Sequence, residues 1–416
     1  MRSIGIVGAG QAGIVLAAAL LRSGWRVVIH TDRSPSDHLA DRGRPTACLF
    51  GDQVEYERSV GLPEWPQAPR MRRIHLDLCT PDGVAFSIDA PLRKPALAVD
   101  QRLKFSAGLE VLAAQGAEVV IGAVTDLDAL AAEHDLVVVT VGREAFGGLF
   151  PRDASRSVHT APQRKVFMVN LEDCDQAASP AHAEGVFSFV PGVLEIFWIP
   201  FHDKDAGPAR SVVVEVAPGG PADRFDGVTS ADEGLAVLRS IVADFVPHEV
   251  GYLATAVPTS PVTWLAGALT PVVRRPVAVL PSGRHVLGLG DAVVLNDPLA
   301  GQGANNATRM AAFFAAELAA HTGPLTPEWL SGRFDEFWRI GQYTNLFSNG
   351  LLAPMADFQQ EVLAAASQDP VIGERLWEGF NNPASLFPWF FDGPSARTYL
   401  AQRERSRRPA TGPALL

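Results

Sequence analysis

Apolar and polar positions alternate along this chain in two different ways. In residues 1–150, short apolar runs are followed by stretches with a helical period: positions 4–7 predict a strand, 14–21 a helix and 26–30 a second strand. In residues 151–280 the apolar runs are short and separated by turn residues, a pattern typical of an antiparallel sheet. These later runs begin at Val166, Gly185, Leu194 and Ser211.

The first predicted strand ends in a glycine-rich turn. Gly8, Gly10 and Gly13 follow the G-x-G-x-x-G spacing, with Gln11 and Ala12 between them. Such a strand–turn–helix binds the pyrophosphate of a dinucleotide, because the free N–H groups at the helix start face the anion. Gly8 permits the tight turn, Gly10 lets the backbone approach the phosphates, and Gly13 lets the helix pack close. An ordinary buried strand–helix turn is the alternative.

A second glycine turn lies near the other end of the chain. A strand that starts at His285 ends in Gly290-Asp291, and a long apolar helix follows up to about His321. The loop before this helix reads Pro298-x-x-Gly301-Gln302-Gly303-Ala304-Asn305. An NAD domain has no need of such a partner, whereas an FAD domain of the glutathione-reductase type does. Its Asp lies near the ribityl and pyrophosphate groups, and its loop N–H groups face the flavin pyrimidine. A glycine turn before a surface helix is the alternative.

The two turns together predict the fold class. We expect an α/β protein with a Rossmann-like FAD-binding domain of the glutathione-reductase type, an inserted antiparallel β-sheet substrate domain and C-terminal helices. The FAD-binding domain would be discontinuous, comprising residues 1–150 and 281–322. Residues 151–280 would form the substrate domain and 323–416 the helical segment.

Taken together, the motifs resemble the oxygenase component of two-component styrene and indole monooxygenases. The similar residues are Gly8-x-Gly10-x-x-Gly13, Thr31-Asp32-Arg33, Ala98-Val99-Asp100-x-Arg102-Leu103, Gly288-Leu289-Gly290-Asp291, Asp297-Pro298-x-x-Gly301-Gln302-Gly303-Ala304-Asn305, Thr344-Asn345 and Phe380-Asn381-x-Pro383. The resemblance implies that a separate NAD(P)H:flavin reductase delivers FAD as FADH2. Reaction with O2 would give a flavin C4a-hydroperoxide, which epoxidises or sulfoxidises small apolar aromatic alkenes, indoles or thioethers. It leaves a homodimer open.

The resemblance also implies cofactor contacts outside the glycine turns. Strong FAD binders carry an acidic residue where Thr31 stands; here the carboxylate is Asp32, followed by Arg33, which suggests a weaker hold on the adenosine half. Arg44 is expected at the phosphate or ribityl groups, and Arg102 is a further expected cofactor contact.

One position argues for an external source of reduced flavin. Single-component flavin hydroxylases carry an Asp-Gly pair after the strand that here reads Leu-Val-Val-Val from residue 136, and their Asp helps both FAD and NAD(P)H to bind. Val141-Gly142 stands in its place, and valine cannot accept hydrogen bonds. The resembled epoxidases lack the Asp as well. The alternative is that another residue takes over its role.

Thr46 is the candidate catalytic side chain. In the resembled family this position is usually Asn in styrene enzymes and often Ser in indole enzymes, so Thr leaves the substrate open. Its hydroxyl can still donate or accept one hydrogen bond. The alternative is a turn residue after Pro45.

Other flavin-fold functions remain as alternatives. A flavin-dependent halogenase would carry Trp-x-Trp-x-Ile-Pro, but residues 195–200 read Glu-Ile-Phe-Trp-Ile-Pro. A single-component hydroxylase would need the missing Asp. An oxidase or dehydrogenase would need a base beside flavin N5, and no candidate base stands out in the sequence. A non-catalytic flavin-fold binding protein would not need the intact 301–305 loop.

Composition narrows the class further. The 416 residues are 47% hydrophobic and 19% charged, which suits a globular enzyme of two lobes. A net charge of −11 argues against nucleic acid as a partner. No apolar run reaches the roughly 18 residues that span a bilayer, so no membrane partner is expected.

Cysteine and histidine patterns bear on metals and location. Cys48, Cys79 and Cys174 are odd in number and lack metal-ligand spacing, and the 10 histidines form no HxxxH or HxH pair. We therefore expect no metal. A reducing cytoplasm fits, and a strand beginning at about Ser3 leaves no room for a signal peptide, so a cytoplasmic location is expected.

Overall fold

A computed structural model describes residues 1–142, 146, 148–178 and 180–407. In chain order its strands are β1 (Ser3–Val7), β2 (Arg26–Thr31), β3 (Cys48–Leu49), β4 (Arg70–Thr80), β5 (Gly83–Ala98), β6 (Glu118–Ile121), β7 (Leu136–Val139), β8 (Lys165–Glu172), β9 (Gly185–Val190), β10 (Leu194–Asp203), β11 (Gly207–Val216), β12 (Val257–Pro258), β13 (Trp264–Ala268), β14 (Val272–Val273), β15 (Val277–Val279), β16 (His285–Gly288) and β17 (Val294–Leu295). The helices are α1 (Gln11–Arg22), α2 (Pro35–Ala40), α3 (Gly51–Ser59), α4 (Gln101–Ala114), α5 (Leu127–Glu133), α6 (Ala231–Phe245), α7 (Gly303–Ala320), α8 (Pro327–Leu352), α9 (Asp357–Ala366), α10 (Pro370–Asn381) and α11 (Gly393–Arg407).

The first sheet has the order β15-β16-β7-β1-β2-β6, with all neighbours parallel except β15 and β16. β1 and β7 are almost fully buried because helices cover both faces, as their continuous apolar sequences predict. The strand–helix–strand predicted at the N-terminus is confirmed as β1, α1 and β2. Both glycine turns therefore lie at the carboxyl ends of adjacent parallel strands, where doubly wound sheets bind ligands.

The second sheet is mainly antiparallel and has the order β12-β8-β11-β10-β9-β4-β5-β3, with β13 also paired to β8. The four predicted runs are confirmed as β8 to β11. The expected alternation of helices and strands through residue 150 was wrong for residues 70–98, which form the hairpin of β4 and β5 and join this sheet through a parallel pairing of β4 with β9. Charged residues and prolines 91 and 95 in β5 hide the strand pattern.

The two faces of this sheet have different neighbours. Ile196, Trp198 and Val214 pack with helix α6 on one face. Phe187, Phe197 and Ile199 point to the other face, where they meet the C-terminal helices and the loop before α7. This second face looks toward the glycine turns. The proposed division into domains at residues 150, 280 and 322 stays a prediction.

The C-terminal helices lock the loop before α7 in place. Asn345 in α8 donates from its amide to Asn296 Oδ1 over 3.3 Å, immediately before that loop. Arg309 in α7 donates to the carbonyl oxygen of Asn381 over 2.7 Å, and burial lowers the pKa of its guanidinium to about 10. Among the described residues, no helix is both long and apolar enough to cross a bilayer.

Candidate active site

The first glycine turn is built as the sequence predicts. Gly8 has a positive φ of 110° and donates its N–H to the His30 carbonyl over 2.8 Å. A Cβ on Gly13 would lie 2.1 Å from the Gly8 carbonyl oxygen, so only glycine lets α1 start this close. A Cβ on Gly10 would meet no atom within 4 Å. The backbone at Gly10 thus borders open space, which is where a pyrophosphate would approach.

The second turn adjoins the first. Gln11 donates its amide to the Thr308 hydroxyl in α7 over 2.8 Å, and a Cβ on Gly290 would lie 2.9 Å from Cβ of the buried Ala12. Cβ atoms on Gly301 or Gly303 would meet nothing within 4 Å. The two loops and the two helix starts therefore surround one region.

The described residues of this region fit FAD. Helices α1 and α7 begin after Gly10 and Gln302 without a side-chain cap, and neither has an acidic residue in its first turn. Their first N–H groups are thus left without the acceptors that usually satisfy a helix N-terminus. A pyrophosphate at one helix and the flavin pyrimidine at the other supply such acceptors.

Two polar residues of the second loop point into the protein. Asn305 is fully buried; its amide donates to the carbonyl oxygens of Cys48 and Gly301, each over 2.8 Å, and its Oδ1 accepts the Phe50 N–H. Gln302 donates to the Phe380 carbonyl over 3.0 Å. Their side chains shape the loop, so any contact of theirs with flavin is through the backbone.

Three predicted cofactor arginines converge on Asp41. Arg33 lies 3.6 Å from its carboxylate, Arg44 forms a short ion pair with it, and Arg102 donates to its carbonyl oxygen over 3.4 Å. Burial opposes ionisation of Asp41, yet the two guanidinium groups hold its pKa below the usual range. Arg33 and Arg44 are partly exposed and can reach an anion, but Arg102 is 1% exposed and is bound through both carboxylate oxygens by Asp100.

The other predicted cofactor residues divide by exposure. Thr31 is buried, and its hydroxyl accepts the Arg33 N–H over 3.3 Å. Asp32 and Asp291 are exposed, and the carbonyl oxygen of Asp291 accepts a bond from Arg274. The remaining loop positions, Pro298 and Ala304, are partly exposed beside the turn.

Val141 lies directly against the first glycine turn. A Cβ on Gly8 would be 2.7 Å from Val141 Cγ2, and the preceding Thr140 hydroxyl donates to the carbonyl oxygens of Val7 and Gly8 over 3.1 Å. The position that carries the Asp of single-component hydroxylases therefore faces the cofactor region, but with an apolar side chain. The segment just beyond it, residues 143–145 and 147, lies outside the described residues.

A cavity of about 70 Å³ connects the second loop to the second sheet. Pro298–Gly301 form one wall, and Phe187, Phe197 and Phe380 contribute aromatic surface. Thr46 lines it, and its hydroxyl forms a short hydrogen bond with that of Ser211 in β11. The predicted candidate side chain thus lies between the cofactor region and the sheet. Cys48 also lines the cavity, but burial raises the pKa of its thiol to about 12, so it is no nucleophile near neutral pH.

Sequence reasoning missed the carboxyl group of this cavity. Glu215 lines it, is 0% exposed and lies directly opposite Glu195 on β10. Arg164 binds both oxygens of Glu195 over 3.0 Å, but its ion pair leaves Glu215 without a cation. Burial, followed by the nearby Asp297 and Glu195 carboxylates, raises the pKa of Glu215 well above its usual range. Two glutamates inside otherwise apolar strands were the available signal.

The face away from the cavity holds a separate buried carboxyl. Trp198 donates its indole N–H to Glu249 Oε2 over 2.7 Å, and Ser188 bonds the other oxygen. Burial raises the pKa of Glu249 to about 7. In the part of the chain that the structure describes, no cluster of His, Cys, Asp and Glu has the geometry of a metal site.

Comparisons with known proteins agree with this architecture. Residues 142–251 match the family model described as "Styrene monooxygenase A putative substrate binding domain". Styrene monooxygenase StyA from Pseudomonas sp. is 27% identical over 409 residues, which cover 93% of this chain and 97% of that protein; StyA from Pseudomonas fluorescens is 26% identical over 408 residues.

Solved structures show the same fold at low sequence identity. A flavin-dependent brominase is 13% identical with a TM-score of 0.68, covering 98% of this chain and 100% of its own. A mutant of 2-methyl-3-hydroxypyridine-5-carboxylic acid oxygenase is 14% identical with a TM-score of 0.62, covering 90% and 96%. The predicted resemblance to styrene monooxygenase and the FAD-binding α/β fold are confirmed. The relatives indicate a flavin-dependent monooxygenase that uses FAD and O2.

Proposed function

We propose that this chain is the oxygenase of a two-component system, which receives FADH2 from a separate reductase and adds one oxygen atom of O2 to small neutral aromatic alkenes, indoles or thioethers. The observation that carries the proposal is the cavity between Pro298–Gly301 and the aromatic face of the second sheet. It places an apolar substrate beside the loop that would hold the flavin.

The roles of the chain follow from that geometry. When bound, FAD supplies the activation of O2 and the transfer of one oxygen atom, while the second oxygen leaves as water. Gly10, Gly303 and the two uncapped helix starts would hold the cofactor, and Arg33 and Arg44 would contact its anionic groups. The buried aromatic walls exclude water from the substrate.

The external reductase is supported by Val141. This side chain lies against Gly8 and offers no acceptor to a nicotinamide cofactor. Thr46 and Ser211 would orient the substrate or the reacting oxygen through their hydroxyl pair, without a general base being required.

The test is turnover with chemically or enzymatically recycled FADH2. Styrene, indole and phenyl methyl sulfide are offered under air, and epoxide, oxygenated indole and sulfoxide are quantified. We expect product from at least one of them, and none when FADH2 is replaced by oxidised FAD. Bromide is added in parallel: a brominated product without oxygenation, or turnover of a charged phenol alone, would contradict the proposal.

A further inference from the structure

Glu215 presents a buried hydrogen-bonding group to the cavity without a protein donor to satisfy it. Both carboxyl oxygens are inaccessible to solvent and meet no N–H or O–H group of the described residues. Val213, two positions earlier on the same face of β11, lines the cavity with a purely apolar side chain. A buried acceptor that lacks a donor is uncommon in folded proteins and is costly, so it calls for an explanation.

The group next to Glu215 is another carboxyl. Asp297 lies within hydrogen-bonding reach, and its Oδ1 already accepts the Leu299 N–H over 3.1 Å. Two carboxylates cannot bond each other unless one carries a proton. The charged groups around Glu215 are Asp297, Glu195 and Arg164, and Arg164 is bound to Glu195.

These surroundings assign the proton to Glu215. It is the more buried of the pair, and the pKa of Glu215 is raised further by the negative charge of Asp297 and Glu195. The Glu215 hydroxyl then donates to Asp297, which uses the donor of the protonated acid. Its carbonyl oxygen is left as a free acceptor beside the cavity.

We propose that Glu215 determines substrate specificity by accepting a hydrogen bond from an N–H or O–H group of a neutral aromatic molecule held in the cavity. The inference rests on the proposed function, because it names the substrate class of that site. A full charge on the ligand is disfavoured, since walls such as Phe187, Phe197 and Phe380 cannot replace its hydration. The ligand contact is direct, so Glu215 acts on binding and not on the supply of reduced flavin.

Binding to the FAD-loaded protein tests this without turnover. Indole and benzofuran have the same bicyclic shape, but an oxygen atom replaces the N–H in benzofuran. We expect calorimetric titration to show about five- to tenfold tighter binding of indole, the worth of one neutral hydrogen bond. In Glu215→Leu the two dissociation constants should become equal. Glu215→Gln, whose amide can donate to Asp297 and keep a carbonyl toward the cavity, should retain the preference.

Glu172→Gln is the matched control, because Glu172 is partly exposed at the end of β8 in the same sheet and does not line the cavity. Equal binding of indole and benzofuran by the unaltered protein would overturn the proposal. So would a preference that survives in Glu215→Leu, or one lost in Glu215→Gln, which serves if the leucine variant does not fold. Tighter binding of tryptamine than of indole would overturn the assignment to a neutral ligand.

The outcome separates this inference from the oxygenase function. Titration with oxidised FAD needs neither reductant nor O2. Loss of turnover with the indole preference intact would count against the proposed function alone, whereas turnover without that preference would count against the role of Glu215.

Discussion

The side chain of Asn305 holds the Cys48 carbonyl oxygen at 2.8 Å, although 257 positions separate the two residues. The same side chain accepts the Phe50 N–H, so β3 is fastened to the first turn of α7. Because Thr46 precedes β3 by two residues, its position relative to the flavin loop depends on this amide. A loop residue predicted to bind the cofactor thereby also places the candidate catalytic hydroxyl.

Replacing Asn305 by Ala should destabilise the protein by about 3 kcal/mol or more, since several buried backbone groups lose their partner. FAD affinity should fall as well, because Gly301 is released from the side chain. Urea unfolding and fluorescence titration with FAD measure the two effects. Asn382→Ala, at an exposed position, is the control and should change stability by less than about 0.5 kcal/mol. Equal effects of both variants would contradict this role of Asn305.

Gly10→Leu and Gly303→Leu should each abolish FAD binding while the fold is retained. Both side chains would enter open space and meet no protein atom, so the cofactor is what they displace. Fluorescence titration measures binding, and circular dichroism checks the fold. Gly267→Leu, which also enters open space but lies in exposed β13, should bind FAD normally. Gly13→Ala should instead destabilise the fold, because its Cβ meets the Gly8 carbonyl.

Without a reductase, NADH or NADPH should reduce the bound flavin very slowly, because Val141 offers no hydrogen-bond acceptor beside the glycine turn. Anaerobic stopped-flow mixing of the FAD-loaded protein with NADH follows the loss of oxidised flavin absorbance. Dithionite is the control and should reduce the same sample completely. Rapid reduction by NADH alone would show that this chain binds nicotinamide by another route.

Thr46→Ala should lower product yield by about two- to twelvefold and release more hydrogen peroxide, which corresponds to one neutral hydrogen bond of ~0.5–1.5 kcal/mol. Ser211→Ala should have a similar effect, and the double variant should cost less than the sum, because both hydroxyls form one bond. Product and peroxide are quantified with recycled FADH2. A thousandfold loss in Thr46→Ala with FAD binding intact would instead show that Thr46 is essential to the chemistry.

The Glu215→Gln variant should lose less stability than the unaltered protein as pH rises from about 4.5 toward neutrality and above. The folded-state pKa of Glu215 is raised, so the folded protein holds a proton that the unfolded chain has released. Its stabilising contribution is therefore greatest at low pH and disappears as pH rises through the folded-state pKa. Urea unfolding at a series of pH values gives the difference between the two proteins; a difference that does not vary with pH would show that Glu215 is ionised in the fold.

The sequence by itself determined the local elements. G-x-G-x-x-G after an apolar run, Val141 in place of Asp, and the runs that became β8 to β11 all depend on residues close together in the chain. Local patterns of this kind are set by backbone geometry and burial, which each segment carries in its own sequence. The charged and proline-containing hairpin of β4 and β5 obeys the same rules, but its pattern is too interrupted to read.

Tertiary structure alone decided which side chains share the cavity. Glu215 lies in a strand whose apolar pattern was correctly identified, yet its partner Asp297 is 82 positions away and its cross-strand neighbour Glu195 is 20 positions away. The protonation of a buried carboxyl depends on solvent exclusion and on charges brought near by folding, and neither is encoded in a local window. For the same reason Arg102, expected at the cofactor, is held by Asp100 and Asp41, whereas Thr46 reaches Ser211 across the cavity.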